Sequence, residues 1–174
     1  REGFGLRGSF RYVPERDDDE FEDDDGIDGV DATIELGGGV RYARPWYEAF
    51  AVARYGFGGS QAVVGDVGMD LIARPTERLA LRAGPRLLYG SDDYAETYFS
   101  TEGAYGVRDF EASGGLLTSG VEVGATYRLT DVWGLEATAR FERLQNDAGD
   151  SPVSSEDDQV SASVAVTRRF DFDF

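Results

Sequence analysis

Several residue types that commonly define a site or a fold are missing from this chain of 174 residues. There is no cysteine and no histidine, which excludes disulfides, cysteine–histidine zinc sites and catalytic pairs of serine or cysteine with histidine. No run approaches the roughly 18 consecutive apolar residues of a transmembrane helix. Lysine is also missing, since all 17 basic residues are arginine, and Met69 is the only methionine. The length suits a single domain.

Acidic residues outnumber basic residues by 34 to 17, and they are unevenly placed. Three segments, 14–28, 91–113 and 146–158, contain 21 of the acidic residues and only two arginines, Arg16 and Arg108. The rest of the chain has 13 acidic residues and 15 arginines and is almost neutral. This distribution predicts acidic loops between nearly neutral structured segments. It argues against nucleic acid as a partner, because the phosphates would be repelled.

The final segment, 159–174, alternates apolar and polar residues with a period of two, the geometry of a β-strand with one apolar face. Pro85 lies inside another such segment and predicts a bulge or an irregular pairing there. Segment 91–113 lacks clean alternation and is predicted to be a long loop. The alternation predicts eight strands, over residues 4–12, 30–42, 47–57, 63–74, 79–89, 121–129, 133–142 and 159–174.

The connections between these segments differ in length in a regular way. Those after the second, fourth and sixth segments are short, whereas those after the first, fifth and seventh are long and acidic; the short connection after the third is an exception. This asymmetry is typical of outer-membrane barrels. The sequence therefore predicts one all-β domain over residues 1–174, an antiparallel up-and-down transmembrane β-barrel of eight strands whose last strand pairs with its first. The chain starts at Arg1 and is predicted to be a mature form or a fragment.

The two faces of the strands distinguish a membrane barrel from a soluble, lipocalin-like barrel, in which the apolar face would point inward. The apolar stripes carry almost no charge, and the polar faces carry both signs in near balance. In a narrow interior such side chains should pair with one another rather than line an open channel. The predicted interior network comprises Arg7, Arg11, Asp31, Glu35, Arg41, Glu48, Arg54, Asp66, Asp70, Arg74, Arg82, Arg86, Glu122, Arg128, Glu136, Arg140 and Glu142.

Aromatic residues are concentrated at the ends of the apolar stripes, beside the short turns and near the C-terminus. This is where an aromatic girdle at the membrane interface belongs. The predicted interface residues are Tyr42, Trp46, Tyr47, Tyr127, Trp133, Phe170, Phe172 and Phe174.

Three features could carry chemistry, and each has a simpler explanation. The acidic run 17–25 has carboxylates that suit calcium but lacks the spacing of an EF-hand loop, so a solvated loop is favoured. Gly37, Gly38 and Gly39 lie within a strand without a following helix, so close packing against a bulky interior side chain is favoured over a phosphate loop. Carboxylates near arginines could form a catalytic dyad, but no histidine or serine-centred motif accompanies them. We therefore expect no catalytic residue, no bound metal and no cofactor.

The C-terminal half resembles the MipA/OmpV family of outer-membrane proteins. The resemblance is carried by segments 94–99, 119–131, 133–135, 141–148 and 150–153, and by the final strand. It includes the pattern L-x-x-D-A-x-D-S-P-V, which begins at Leu144. The first half is similar only in the rhythm of its strands. Family members usually end near the aromatic residue equivalent to Phe170 and carry further strands before the point where this chain begins. The resemblance therefore implies either a shortened member with a complete eight-stranded barrel or a barrel of ten or twelve strands whose N-terminal strands are missing here.

The resemblance implies a non-enzymatic protein in the outer membrane of a Gram-negative bacterium. It implies a scaffold or envelope protein that links a murein-degrading lytic transglycosylase to a peptidoglycan synthase. A narrow porin-like channel for small solutes and a surface adhesin are the alternatives. Outer-membrane lipid, lipopolysaccharide and the barrel assembly machinery are the other expected partners.

Overall fold

The computed structural model describes residues 2–15, 30–101, 109–152, 154 and 157–168. The acidic run 17–25, Arg108 and the three predicted interface residues Phe170, Phe172 and Phe174 lie outside the described residues. The elements are β1 (Gly3–Val13), β2 (Thr33–Ala43), β3 (Tyr47–Gly58), β4 (Val63–Ala73), β5 (Leu79–Gly90), α1 (Asp92–Phe99), β6 (Gly115–Arg128), β7 (Trp133–Leu144), α2 (Asp147–Asp150) and β8 (Asp158–Arg168).

The eight strands form one antiparallel sheet in which each strand pairs with the next along the chain. This confirms the predicted all-β, up-and-down architecture and its strand count. The turns after β2, β4 and β6 lie at one end of the sheet, here called the short-turn end. The connections after β1, β3, β5 and β7 lie at the opposite end, here called the long-loop end.

The sheet is curled into a half-barrel with a polar concave face and an apolar convex face. Phe4 and Leu6 on the convex face are 86% and 89% exposed, whereas Glu35 on the concave face is only 1% exposed. Successive strand residues point to opposite faces, so the alternation in the sequence places these side chains directly. A soluble barrel would have the reverse arrangement, and an exposed apolar face of this extent marks contact with a membrane or with another protein.

The two outer strands, β1 and β8, are the exception to the expected closure. Among the described residues no ladder joins β1 to β8, and every residue of β8 is exposed. The prediction that the last strand pairs with the first is therefore not met by these residues, because the curvature of the sheet does not bring its edges together. The concave side of β8 carries Ser161, Ser163, Ala165 and Thr167, none of which is charged.

Pro85 interrupts the ladder between β4 and β5, which confirms the irregularity predicted there. The pairing stops at Gly68 opposite Arg86 and resumes at Leu71 opposite Ala83, so it omits Met69 opposite Pro85 and Asp70 opposite Gly84. Proline has no N–H group to donate to a neighbouring strand. The carbonyl of Met69 is thus left for another donor.

Packing of apolar side chains is concentrated at the long-loop end, where α1 and α2 cover the mouth of the half-barrel. The prediction of a loop over 91–113 is wrong for residues 92–99, which form α1. A helix has a period near 3.6, so the missing two-residue alternation excluded a strand but not a helix. The buried apolar residues there are Ala62, Val64, Tyr94, Ala95, Ala112, Leu117, Leu144 and Ala148. Neither helix is long and apolar enough to cross a membrane, within the part of the chain that the structure describes.

The glycines in the middle of β2 allow a close approach of the neighbouring strand. A Cβ atom on Gly37 would lie 1.9 Å from the backbone oxygen of Ala53, and one on Gly39 would lie 2.0 Å from that of Ala51. The expected contact with a bulky interior side chain is therefore wrong, because the backbone of β3 occupies that space. Gly38, which points to the other face, meets no such obstacle.

Candidate functional site

The concave face near the long-loop end holds a buried carboxylate between two arginines. Glu35 on β2 accepts hydrogen bonds from Arg11 Nη2 at 2.5 Å and from Arg54 Nε at 2.9 Å. Arg54, on β3, also pairs with Asp66 on β4. Alternate residues of four neighbouring strands thus converge, and each buried charge has an opposite charge beside it, as burial requires.

A second cluster lies on β4 to β7 and is organised by Arg86. Its Nη2 atom donates to Asp70 Oδ1 at 2.7 Å and to Glu122 Oε1 at 2.9 Å. Arg140 and Arg82 also contact Glu122, at 2.7 and 3.0 Å. Arg86 is 3% exposed, so its positive charge is neutralised by protein side chains rather than by water.

Arg86 also supplies hydrogen-bond donors at the point where Pro85 interrupts the sheet. Its Nη1 atom donates to the backbone oxygen of Met69 at 3.3 Å and to that of Pro85 at 3.0 Å. A buried carbonyl without a donor would cost about 1–3 kcal/mol. One side chain therefore serves two carboxylates and two backbone carbonyls, a task that the five donors of arginine allow.

Phe50 connects this cluster with a third group of charges near the short-turn end. Its ring centroid lies 4.6 Å from the guanidinium carbon of Arg7 and 5.3 Å from that of Arg86. Arg7 and Arg41 in turn pair with Glu48, at 4.0 and 3.1 Å. The concave face thus contains an almost continuous series of opposite charges, joined by one aromatic ring.

The structure brings fourteen of the seventeen predicted network residues into ion pairs with one another. The other three, Asp31, Arg74 and Arg128, have exposed side chains before, after or at the end of a strand. Arg74 donates to the backbone oxygen of Pro45 in the adjacent turn. Side chains at the ends of strands can point to water, whichever face the two-residue alternation assigns to them.

Helix α1 caps the long-loop end through two tyrosines that contact the concave face. Tyr94 accepts a hydrogen bond from Arg11 Nη2 at 3.1 Å, and Tyr98 lies 3.5 Å, between oxygen atoms, from the buried Thr33 hydroxyl. Burial raises the pKa of Tyr94, so its phenol stays protonated at neutral pH. The cap is thus attached to the charged interior by polar contacts as well as by apolar packing.

The sequence did not predict that Tyr94, Tyr98 and Phe50 contact the charged residues of the concave face. The spacing of the two tyrosines, four residues apart after Asp92 and Asp93, is the signal that could have identified α1, because it places both rings on one helical face. Phe50 breaks the polar alternation of β3, and only the fold shows that its ring lies between two arginines.

A comparison with models of known protein families gives a match over almost the whole chain. The model of the family described as MltA-interacting protein MipA matches residues 1–170. The chain belongs to the MipA family. The match confirms the resemblance and extends it to the first half, where the sequence indicated only strand rhythm. No curated protein matches the chain.

Parts of the segments that carry the resemblance contribute to the cap, and the others lie mainly in β6, β7 and β8. Segment 94–99 forms most of α1, and segment 141–148 contains the end of β7 and the start of α2. Ser151, in the following segment, donates a hydrogen bond from Oγ to the backbone oxygen of Phe99. Ala95, Leu144 and Ala148 are buried together in the same core. In this MipA family member these segments therefore contribute to closure of the long-loop end.

Five of the eight predicted interface aromatics lie in the described residues, and all five are at the short-turn end. Tyr42, Trp46 and Tyr47 form one group, in which the ring centroids of Tyr42 and Tyr47 are 6.0 Å apart and those of Trp46 and Tyr47 are 4.4 Å apart. Tyr127 and Trp133 lie beside the β6–β7 turn, each 42% exposed. Amphipathic rings at one level suit the boundary between apolar chains and water.

The contact between Tyr94 and Arg11 allows a direct test of the cap. We expect Tyr94→Phe to weaken α1 docking by about 1 kcal/mol, roughly a fivefold fall in the protection of its amides from hydrogen exchange, because Arg11 loses one acceptor but keeps Glu35. Tyr89→Phe is the matched control, since Tyr89 is exposed on the convex face. Equal protection of α1 in the two variants would show that the hydroxyl contributes nothing to docking.

Proposed function

We propose that this MipA family member is a non-enzymatic scaffold in the outer membrane of a Gram-negative bacterium. The observation that carries this proposal is the concave face, most of whose charged side chains form ion pairs with one another. Helix α1 covers the mouth of the half-barrel at the long-loop end. Paired charges of this kind stabilise the curled sheet and leave little room for a substrate to pass through it. The apolar convex face and the aromatic groups at the short-turn end support a position in a bilayer.

The family description supports a partner of a particular kind. It names an interaction with MltA, a lytic transglycosylase, and such an interaction requires a surface that the enzyme can reach. The short-turn end suits this role, because short turns face the periplasm in outer-membrane barrels. A peptidoglycan synthase held at the same end would complete the proposed scaffold.

Binding to a purified lytic transglycosylase of the MltA type tests the scaffold. We expect the immobilised full-length protein to retain the enzyme and the charge reversal Glu77→Arg, in the β4–β5 turn, to weaken retention severalfold. The matched control is Glu111→Arg at the long-loop end, where the residue is also exposed. Equal retention by the two variants would exclude the short-turn end as the contact surface, and no retention by the parent protein would exclude the scaffold.

A narrow channel is the second candidate, and one observation favours it. The concave face near the short-turn end has a cavity of about 360 Å³, lined by Leu6, Arg7, Arg41, Glu48, Asp70, Ile72 and Arg82. A cavity of this size could admit a small charged solute. The covered long-loop end argues against passage through the full length.

Conductance in planar bilayers distinguishes the two functions. We expect no steady conductance from the parent protein, because the cap and the ion pairs obstruct the interior. Replacing Tyr94 and Tyr98 together with alanine removes the two capping side chains, and we expect this variant to show intermittent openings. Steady openings of the parent protein that are unchanged in the double variant would favour the channel and would exclude α1 as an obstruction.

A further inference from the structure

The convex face has an open apolar groove, which crosses β2 to β5 and has a volume of about 400 Å³. Ala49 and Ala51 form its floor, because each carries only a methyl group between larger neighbours. Val40 and Val67 stand opposite Ala51 on the flanking strands, and Met69 stands opposite Ala49. The groove therefore results from a local difference in side-chain size on an otherwise convex apolar surface.

The groove is deepened on one side by the irregular pairing at Pro85. Pro85 and Leu87 line its β5 side, where the β4–β5 ladder omits Met69. Its inner boundary includes Gly68, which has no side chain, and the ring of Phe50. Apart from Arg41 and the Tyr42 hydroxyl, the lining is apolar. The groove volume lies within the range of about 300–1,000 Å³ typical of small-molecule sites.

Tyr42 lies at one end of the groove, and two arginines contact this ring or the turn beside it. Tyr42 lines the groove, and its hydroxyl accepts a hydrogen bond from Arg44 Nε at 2.8 Å. The guanidinium carbon of Arg44 lies 5.2 Å from the centre of the same ring. Arg74 reaches the same turn and donates from Nη1 to the backbone oxygen of Pro45.

Both arginines are exposed to solvent. Arg44 is 47% exposed, and the nearest carboxylate oxygen in an ion pair with it, on Glu2, is 3.8 Å away. Arg74 is also exposed and uses Nη1 for the turn. Arginine donors fit phosphate oxygens, so a positive site lies where an apolar groove approaches the level of the aromatic residues.

We propose that this groove binds one acyl chain of an anionic glycerophospholipid, whose phosphate is held by Arg44 and Arg74. The inference rests on the proposed membrane location. A lipid satisfies both parts of the site, since it combines a long apolar chain with a phosphate at one end. The interface aromatics Trp46 and Tyr47 stand beside the two arginines, at the depth where the headgroup meets the chain. The lipid belongs to the leaflet at the short-turn end.

Two sets of variants separate the acyl-chain part of the site from the phosphate part. Ala51→Leu fills the floor of the groove, and Ala139→Leu adds the same side chain to an exposed alanine of β7, away from the groove. Arg44→Gln with Arg74→Gln removes the two charges, and Arg78→Gln is the control for loss of an exposed arginine at the same end. None of the five residues replaced in these four variants belongs to the ion pairs of the concave face.

The experiment measures binding of phosphatidylglycerol and of uncharged diacylglycerol to delipidated full-length protein by native mass spectrometry. We expect Ala51→Leu to weaken binding of both lipids at least tenfold, and the double arginine variant to weaken only phosphatidylglycerol by a similar factor. Ala139→Leu and Arg78→Gln should bind both lipids as the parent protein does. Parent-like binding by Ala51→Leu, or equal weakening by Ala139→Leu, would overturn the proposed groove.

Insertion into vesicles, followed by heat-modifiability on gels, separates failure of the groove from failure of the membrane proposal. If the parent protein inserts and Ala51→Leu still binds lipid as the parent does, only the groove is excluded. If the parent protein does not insert at all, the membrane location and the lipid site are excluded together. If phosphatidylglycerol binding is unchanged in the double arginine variant, the assignment of the phosphate to Arg44 and Arg74 is wrong.

Discussion

Replacing Arg86 with leucine is expected to lower the free energy of unfolding by about 3–5 kcal/mol, the usual cost of removing one partner from a buried ion pair. Asp70 and Glu122 both lose a donor within 2.9 Å, and neither carboxylate is more than 7% exposed. The backbone oxygen of Met69 also loses the donor that compensates for Pro85. Urea unfolding in vesicles and heat-modifiability on gels measure the loss.

Arg143→Leu is the matched control for the Arg86 variant. Arg143 makes a two-pronged contact with Asp158, at 2.6 and 3.0 Å, but the pair is exposed. Exposed pairs contribute little because water and salt compete for both charges. Adding Asp70→Asn and Glu122→Gln to Arg86→Leu should recover part of the lost stability. Equal destabilisation by Arg86→Leu and Arg143→Leu would show that burial of the network contributes nothing.

Gly39→Ala is expected to cost roughly 3 kcal/mol, at the upper end of typical overpacking effects. The added Cβ atom would lie 2.0 Å from the backbone oxygen of Ala51 and 2.7 Å from the Cα atom of Val52. Backbone atoms cannot move aside as a flexible side chain can, so β2 and β3 would have to separate. The expected result is a lower urea midpoint and a smaller yield of folded protein.

Gly38→Ala, at the adjacent position, supplies the control. A Cβ atom there would meet only the backbone oxygen of Arg7, at 3.4 Å, which is close to ordinary contact. The change should be neutral or slightly stabilising, because alanine restricts the unfolded chain more than glycine does. If both alanine variants lose the same stability, then strand propensity rather than the close approach of β3 explains the glycines.

The two predictions rest on different kinds of information. That Arg86 faces the interior follows from the alternation along β5 alone. That it serves Asp70, Glu122 and two carbonyls depends on the register of β4, β5 and β6, which the sequence does not state. For Gly39 even the kind of neighbour was predicted wrongly, because the approach of two backbones depends on the local coiling of the sheet.

The candidate site shows a similar division between prediction and outcome. Fourteen of the seventeen predicted interior residues form ion pairs with one another. The sequence could not distinguish Asp31, Arg74 and Arg128 from them, since a period of two does not mark where a strand ends. It also missed α1, whose eight residues are too few for a clear helical pattern.

The sequence by itself determined the antiparallel strands, their order and the face that each residue occupies, because these follow from periodicity and from connection length. Only the tertiary structure decided which charges meet, how Tyr94 and Tyr98 cap the interior, and where the convex face has a groove. The physical reason is range: alternation is a property of neighbouring residues, whereas an ion pair such as Arg54 with Asp66, or the groove around Ala51, depends on strands brought together by the register of the sheet.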